Sequence, residues 1–508
     1  MPAQQKFSHV FETDHLRAGL EGRSVRGGVL TLTSQGAQFL IQTLATVVLA
    51  RLLVPADFGL VAMVTAVTGL AAAFADLGLS EATIQRKEIT HGQISALFWI
   101  NVAIGVGLML LTATLAPVLA WFYGEPRLKN ITLLTSLTFL ISGLRVQHDA
   151  LLKRQMRFSG IAIRDVATYA VAVPVSITMA WRGAGYWSLL ALPLILQGTQ
   201  MVLSWLMVDW RPGLPRRDAR VDSMVSFGGS VAASYITYYV TRNTDKVLIG
   251  WFWGAGPLGL YSRAYNLLLL PLRQLTVPLT AVVVPAFSRI QDDDERLARY
   301  YLRTCSLLMW VCAPTFAFLG VAAEPVVVLV LGNQWHETAP VFQVLAISAL
   351  AELLVASIHC LLISRGQAAQ YFKLGLITSP IIVASLVIGL PFGIKAVAFS
   401  YTLAMLIILP WVLKFAFLGT KLTLQRLVLN LLWPVALCIA GVIFAMLAIR
   451  IIPPHNPLSE LLVMLLGFAA AYLAAALIPR VREEGLALFA RVVRELRESR
   501  RAVDGANA

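Results

Sequence analysis

Thr241-Arg242-Asn243-Thr244-Asp245-Lys246 sets three charged side chains about seventeen residues into the run 225–252, which is otherwise apolar. The surrounding chain is 58% hydrophobic and only 13% charged. A charge at the centre of a bilayer costs about 2.5–3.5 kcal/mol on insertion scales. Three on one short stretch are incompatible with a lipid-facing helix. They imply a water-filled interior, and one of net positive charge implies anionic cargo.

Working outward, apolar stretches of about 20 residues recur from end to end, each enough to cross about 30 Å of hydrocarbon. About fourteen are readable, from 28–50 and 55–76 near the start to 428–450 and 459–479 near the end. The fold class expected is therefore an all-α polytopic membrane protein. Cys305, Cys312, Cys360 and Cys438 all fall in apolar runs, where they read as packing residues. The polar first 27 residues carry no apolar h-region, so no cleaved leader is expected.

The net charge of +14 follows topology. With the N-terminus inside, the two tails and the even-numbered loops hold thirty of the 41 Lys and Arg, and the opposite loops hold six. Five lie within apolar runs: Arg145, Arg242, Lys246, Arg263 and Arg273. The positive-inside rule then places both termini in the cytoplasm and makes the helix number even. A nucleic-acid partner is not needed to explain the basic balance, whereas anionic membrane lipids suit the cytoplasmic arginines.

Residues 28–60 and 228–260 align at an offset of 200. Gly28 meets Gly228, Ser34 meets Ser234, Val47 meets Val247, and Phe58-Gly59-Leu60 meets Leu258-Gly259-Leu260. An offset of six helices predicts parallel repeats about an axis along the membrane normal. The expected organisation is a cytoplasmic segment (1–27), a first six-helix lobe (28–208), a basic linker (209–224), a second six-helix lobe (225–418), two added helices (419–480) and a cytoplasmic tail (481–508). In that tail Leu486, Phe489, Val493 and Leu496 recur at helical spacing among arginines, the pattern of an amphipathic surface helix. Opposite Arg242, Asp245 and Lys246 the first repeat has Gln42, Ala45 and Thr46, so the cationic wall belongs to the second lobe.

Several stretches together resemble a known family: Arg51-Leu-Leu-Val-Pro-Ala-Asp-Phe-Gly-Leu60, Asp76-Leu-Gly-Leu-Ser80, Leu97-Phe-Trp-Ile-Asn101, Asn243-Thr-Asp-Lys-Val-Leu-Ile-Gly250, Leu258-Gly-Leu-Tyr-Ser-Arg-Ala-Tyr265 and Pro285-Ala-Phe-Ser-Arg289. Over about residues 28–480 the chain resembles the polysaccharide transporter (oligosaccharide flippase) family of the multidrug/oligosaccharidyl-lipid/polysaccharide exporter superfamily, and within it the colanic-acid-type lipopolysaccharide flippases. The resemblance implies fourteen helices in two lobes in the inner membrane. It implies movement of a polyprenyl-diphosphate-linked oligosaccharide to the periplasmic leaflet, for lipopolysaccharide, exopolysaccharide or capsule, alongside polysaccharide polymerase machinery. No bond is broken and no cofactor or metal is implied.

For this cargo the candidate binding residues are Arg242, Lys246, Arg263, Arg273, Tyr239 and Tyr265. Arginine meets a diphosphate with a bidentate fork, lysine as a point charge. Arg242 and Asp245, three apart, can instead neutralise each other on one helix face, which leaves Lys246 over. Arg263 can instead snorkel to the interface. Tyrosines stack on sugars but also populate interfacial belts. Arg273 sits between Pro271 and Pro278, which should kink its helix. Asp245 and Glu352 are candidates to moderate the charge or to couple a proton or sodium ion. Arg145 with Asp149 four residues on, and Arg164 beside Asp165, read as structural.

Two other functions compete. An ion-coupled multidrug exporter of organic cations would want acidic walls. A membrane glycan ligase or polymerase would need catalytic groups in sizeable outer loops, and the longest here is about 323–337. There is no Gly-x-x-x-x-Gly-Lys-Ser/Thr motif for nucleotide phosphates.

Overall fold

The computed structural model describes residues 20–72, 74, 79–86, 89–214, 239 and 241–477. Among these residues the regular structure is helix throughout, as the apolar runs require: a bilayer offers no water to satisfy backbone groups, so each span must bond within itself. Ten described helices are long and apolar enough to cross a membrane. Three more, Leu20–Leu52, Arg127–Arg154 and Ala255–Ser288, have 33, 28 and 34 residues and carry more polar groups. Helix starts are sealed by side chains. Thr90 and Gln93 form a capping box at His91–Phe122, and Asn456 and Ser459 form another at Pro457–Ala475.

The chain divides into two compact units after Ser262. In the first unit His91–Phe122 and Arg127–Arg154 form a tight hairpin. A Cβ at Gly105 would stand 2.7 Å from the Phe139 carbonyl oxygen, and one at Gly143 2.6 Å from that of Asn101. Phe158–Trp181 and Tyr186–Met207 form a second hairpin, on which Leu20–Leu52 packs.

Residues 209–214, where the linker was expected to begin, are fastened to the first unit. Trp210 is fully buried and its Nε1 donates to His91 Nδ1 at 3.0 Å. Trp99 Nε1 donates to the Gly213 carbonyl at 2.8 Å, and the Gly213 N–H donates to Ser95 Oγ at 3.0 Å. The remainder of the linker, like the amphipathic tail, lies outside the described residues.

The glycines shared by the two repeats meet in space. A Cβ on Gly59 would lie 1.7 Å from the Ala255 carbonyl oxygen, and one on Gly259 would lie 1.9 Å from that of Pro55. Position 59 faces 255 and position 259 faces 55, so the contact carries the same 200-residue offset as the sequence repeat. Leu60 and Leu258 are buried beside it.

One polar network inside the first unit centres on Arg164. Arg164 donates from Nη1 to Asp149 Oδ1 at 2.5 Å and from Nη2 to Asp165 Oδ1 at 2.7 Å. Arg145 pairs with Asp149 Oδ2 at 3.5 Å and bonds Gln200, and Ser204 Oγ donates to Asp149 at 2.7 Å. The expected Arg145–Asp149 and Arg164–Asp165 pairs are both present. Arg164 joins them into one cluster near the same end of three helices.

In the second unit Asp294–Val321 packs on Thr338–Ser364 and Leu424–Ile451, Ile394–Ala416 covers Thr338–Ser364, and Pro457–Ala475 lies along Leu424–Ile451. Tyr301, Cys305, Leu361 and Phe417 belong to its core. All four cysteines are buried thiols.

Candidate functional site

The motif Thr241–Lys246 lies in a helix over residues 241–253, within the first unit. Its side chains leave in different directions. Asp245 is buried; its Oδ1 accepts the Lys246 main-chain N–H at 2.8 Å, and its carboxylate takes the phenol of Tyr261. Lys246 Nζ donates to Asn243 Oδ1 at 2.9 Å, and Asn243 Nδ2 donates to the Tyr239 carbonyl, also at 2.9 Å. The Tyr239 phenol donates to the Thr65 carbonyl at 2.8 Å, on the helix Pro55–Ala72. Arg242 is partly buried, and its charge is felt at Asp245 along with that of Lys246.

Tyr239, Arg242, Asp245 and Lys246 are thus neighbours along one helical stretch. Asn243 is the hydrogen-bond partner that sequence reasoning passed over, and Tyr261, expected only as one of several tyrosines on these helices, is bonded to Asp245. The signal for Asn243 was legible, because it stands four after Tyr239 and three before Lys246, on one helix face.

In the second unit Arg263 and Tyr265 lie on the helix Ala255–Ser288, Tyr265 buried and Arg263 partly so. This helix runs unbroken through Pro271 and Pro278. Arg273 belongs to it, about 15 Å beyond Arg263 along the axis, and its side chain lies outside the described residues. Glu352, which lacked an obvious partner in the sequence, is buried and accepts the Tyr401 phenol at 2.8 Å from the helix Ile394–Ala416. His359 is packed edge-on against Tyr371, with ring centroids 4.9 Å apart. Among the described residues no group of three or more His, Cys, Asp or Glu is placed to hold a metal ion.

Comparison with solved structures finds the same fold in two membrane proteins. The lipid II flippase MurJ, in an inward closed conformation, superposes with a TM-score of 0.68 over 89% of this chain and 99% of its own, at 12% identity. An inward-facing multidrug resistance MATE family transporter of the MOP superfamily gives 0.56 over 80% and 98%, also at 12% identity.

A family model described as polysaccharide biosynthesis protein matches residues 48–340, more than half of the chain, and the chain belongs to that family. The lipopolysaccharide biosynthesis protein WzxC of Escherichia coli (strain K12) is 28% identical over 71% of this chain and 73% of its own. The teichuronic acid biosynthesis protein TuaB of Bacillus subtilis (strain 168) is 25% identical over 58% and 62%, and the succinoglycan biosynthesis transport protein ExoT of Rhizobium meliloti (strain 1021) is 26% identical over 64% and 65%.

Proposed function

We propose that this protein is a flippase that moves a polyprenyl-diphosphate-linked oligosaccharide from the cytoplasmic to the outer leaflet of the inner membrane by alternating access, for surface polysaccharide biosynthesis. The observation that carries this reading is the basic motif Arg242–Lys246 inside a membrane helix of a polysaccharide-biosynthesis family member. The headgroup of such a substrate is large, polar and anionic, while its isoprenoid tail can remain in lipid. Arg242, Lys246, Arg263 and Arg273, on two helices consecutive in sequence, supply dispersed positive charge for the diphosphate, with Tyr239 and Tyr265 as the aromatic candidates. Dispersed bases hold the cargo while allowing release. Asp245 and Glu352 moderate that charge, and proton or sodium binding at either biases the inward and outward states. Polymerase machinery would receive the delivered oligosaccharide.

A multidrug exporter is the second reading, favoured by the fold shared with the MATE transporter. Its cationic cargo would be repelled by Arg242 and Lys246. The experiment is complementation of a flippase-deficient strain with Lys246→Gln, Arg273→Gln and the double variant. Loss of surface polysaccharide at unchanged membrane abundance is expected. Normal polysaccharide in all three would remove these residues from the transport path.

The orientation proposed has both termini in the cytoplasm. Reporter fusions at Ala508 and within 323–337 are expected to give cytoplasmic and periplasmic signals respectively. A periplasmic signal at Ala508 would overturn the orientation and the even helix count.

A further inference from the structure

We propose that Asn243 is a positioning residue that aims the ammonium of Lys246, as the third member of a hydrogen-bonded relay from Thr65 through Tyr239 and Asn243 to Lys246. The inference rests on Lys246 meeting an anionic substrate, as argued above. The relay is anchored at its far end. The Tyr239 phenol donates to the Thr65 carbonyl, and a Cβ at Gly69 would stand 2.0 Å from the phenol oxygen, so the ring is seated where only glycine leaves room. The Tyr239 carbonyl then accepts from Asn243 Nδ2, and Asn243 Oδ1 accepts from Lys246 Nζ.

Both ends of the Asn243 amide are used, which fixes its orientation. Turned over, it would set its NH2 against an ammonium and its oxygen against a carbonyl, donor to donor and acceptor to acceptor. Lysine is a point charge on a flexible stem with rotatable donors. The bond from Nζ to the neutral Asn243 amide oxygen gives that charge a direction. A carboxylate in the same place would direct it equally well and neutralise it. The neighbouring acid, Asp245, meanwhile accepts the Lys246 main-chain N–H and the Tyr261 phenol.

The test is binding of undecaprenyl diphosphate to the purified full-length protein in nanodiscs, with melting temperatures recorded for every variant. Lys246→Gln is expected to weaken binding about tenfold, as loss of a charge pair does. Asn243→Ala should weaken it about threefold, and this loss should vanish in the Lys246→Gln background, the signature of coupled residues. Asn243→Asp, which loses the donor to the Tyr239 carbonyl and sets a carboxylate beside the ammonium, should weaken binding about as much as Lys246→Gln. Wild-type affinity in Asn243→Asp alongside a weakened Lys246→Gln would overturn the relay and leave Lys246 in place. An equal loss from Asn243→Ala in both backgrounds would also overturn it, because a purely structural residue acts additively. Wild-type affinity in Lys246→Gln would overturn the assignment of Lys246 itself and the relay with it.

Discussion

Gly59→Ala and Gly259→Ala are each expected to lower the melting temperature of the purified protein sharply and to reduce its yield in the membrane. The methyl group of Gly59→Ala would stand 1.7 Å from the Ala255 carbonyl oxygen and 2.5 Å from its carbon. That of Gly259→Ala would stand 1.9 Å and 2.7 Å from the matching atoms of Pro55. Overpacking typically costs about 1–3 kcal/mol, occasionally more, because side chains must leave their rotamers. Here the obstacle is main chain on both sides and has no rotamer to change, so the effect should reach the top of that range. The double variant should lose much less than the sum, because one separation of 55–59 from 255–259 relieves both clashes. A wild-type melting temperature in either single variant, or additive losses in the double, would contradict the contact.

Arg164→Gln should be comparably severe. Its guanidinium is 6% exposed and bridges Asp149 and Asp165. Breaking a buried ion pair by removing one partner costs about 3–5 kcal/mol, since a charge is left buried without its counterpart. Both aspartate side chains keep 19% exposure, and Asp149 retains Arg145 and Ser204, so the lower end of that range applies. The carboxylate most stranded is Asp165. Adding Asp165→Asn to Arg164→Gln should therefore restore part of the melting temperature, although Asp165→Asn alone should lower it. Thermal unfolding of the four proteins checks this, and a second substitution that only adds damage would show that the network is not held by charge.

Much of the fold was legible because its driving pattern is local. A span needs about 20 apolar residues in a row, and that run is visible without knowing what it packs against. Arg127–Arg154 shows where the pattern blurs. Arg145, Gln147, His148 and Asp149 cluster in one stretch of it, and Gln147 and His148 are fully buried inside the protein. The charges of 241–246 were legible for a related reason: a charge in an apolar run stands out by its cost. What those charges touch was not legible. Tyr401 reaches Glu352 across 49 positions, and Tyr239 reaches Thr65 across 174. No periodicity links residues so far apart. The Arg164–Asp149 bond failed to show for a subtler reason, since each residue already had a plausible neighbour on its own helix.

The glycine contact has one more consequence. Segment 55–59 meets segment 255–259 as a patch meets itself across a two-fold axis, which is the pattern of an isologous interface between identical subunits. Within one chain it makes the two glycines answerable to each other, since a side chain gained on either displaces the backbone that carries the other. It also means that a chain with only one copy of the motif would hold both surfaces of the joint: the glycine that yields space and the carbonyl that fills it. Such a half-length chain would meet a second copy of itself through the very contact that this protein makes internally.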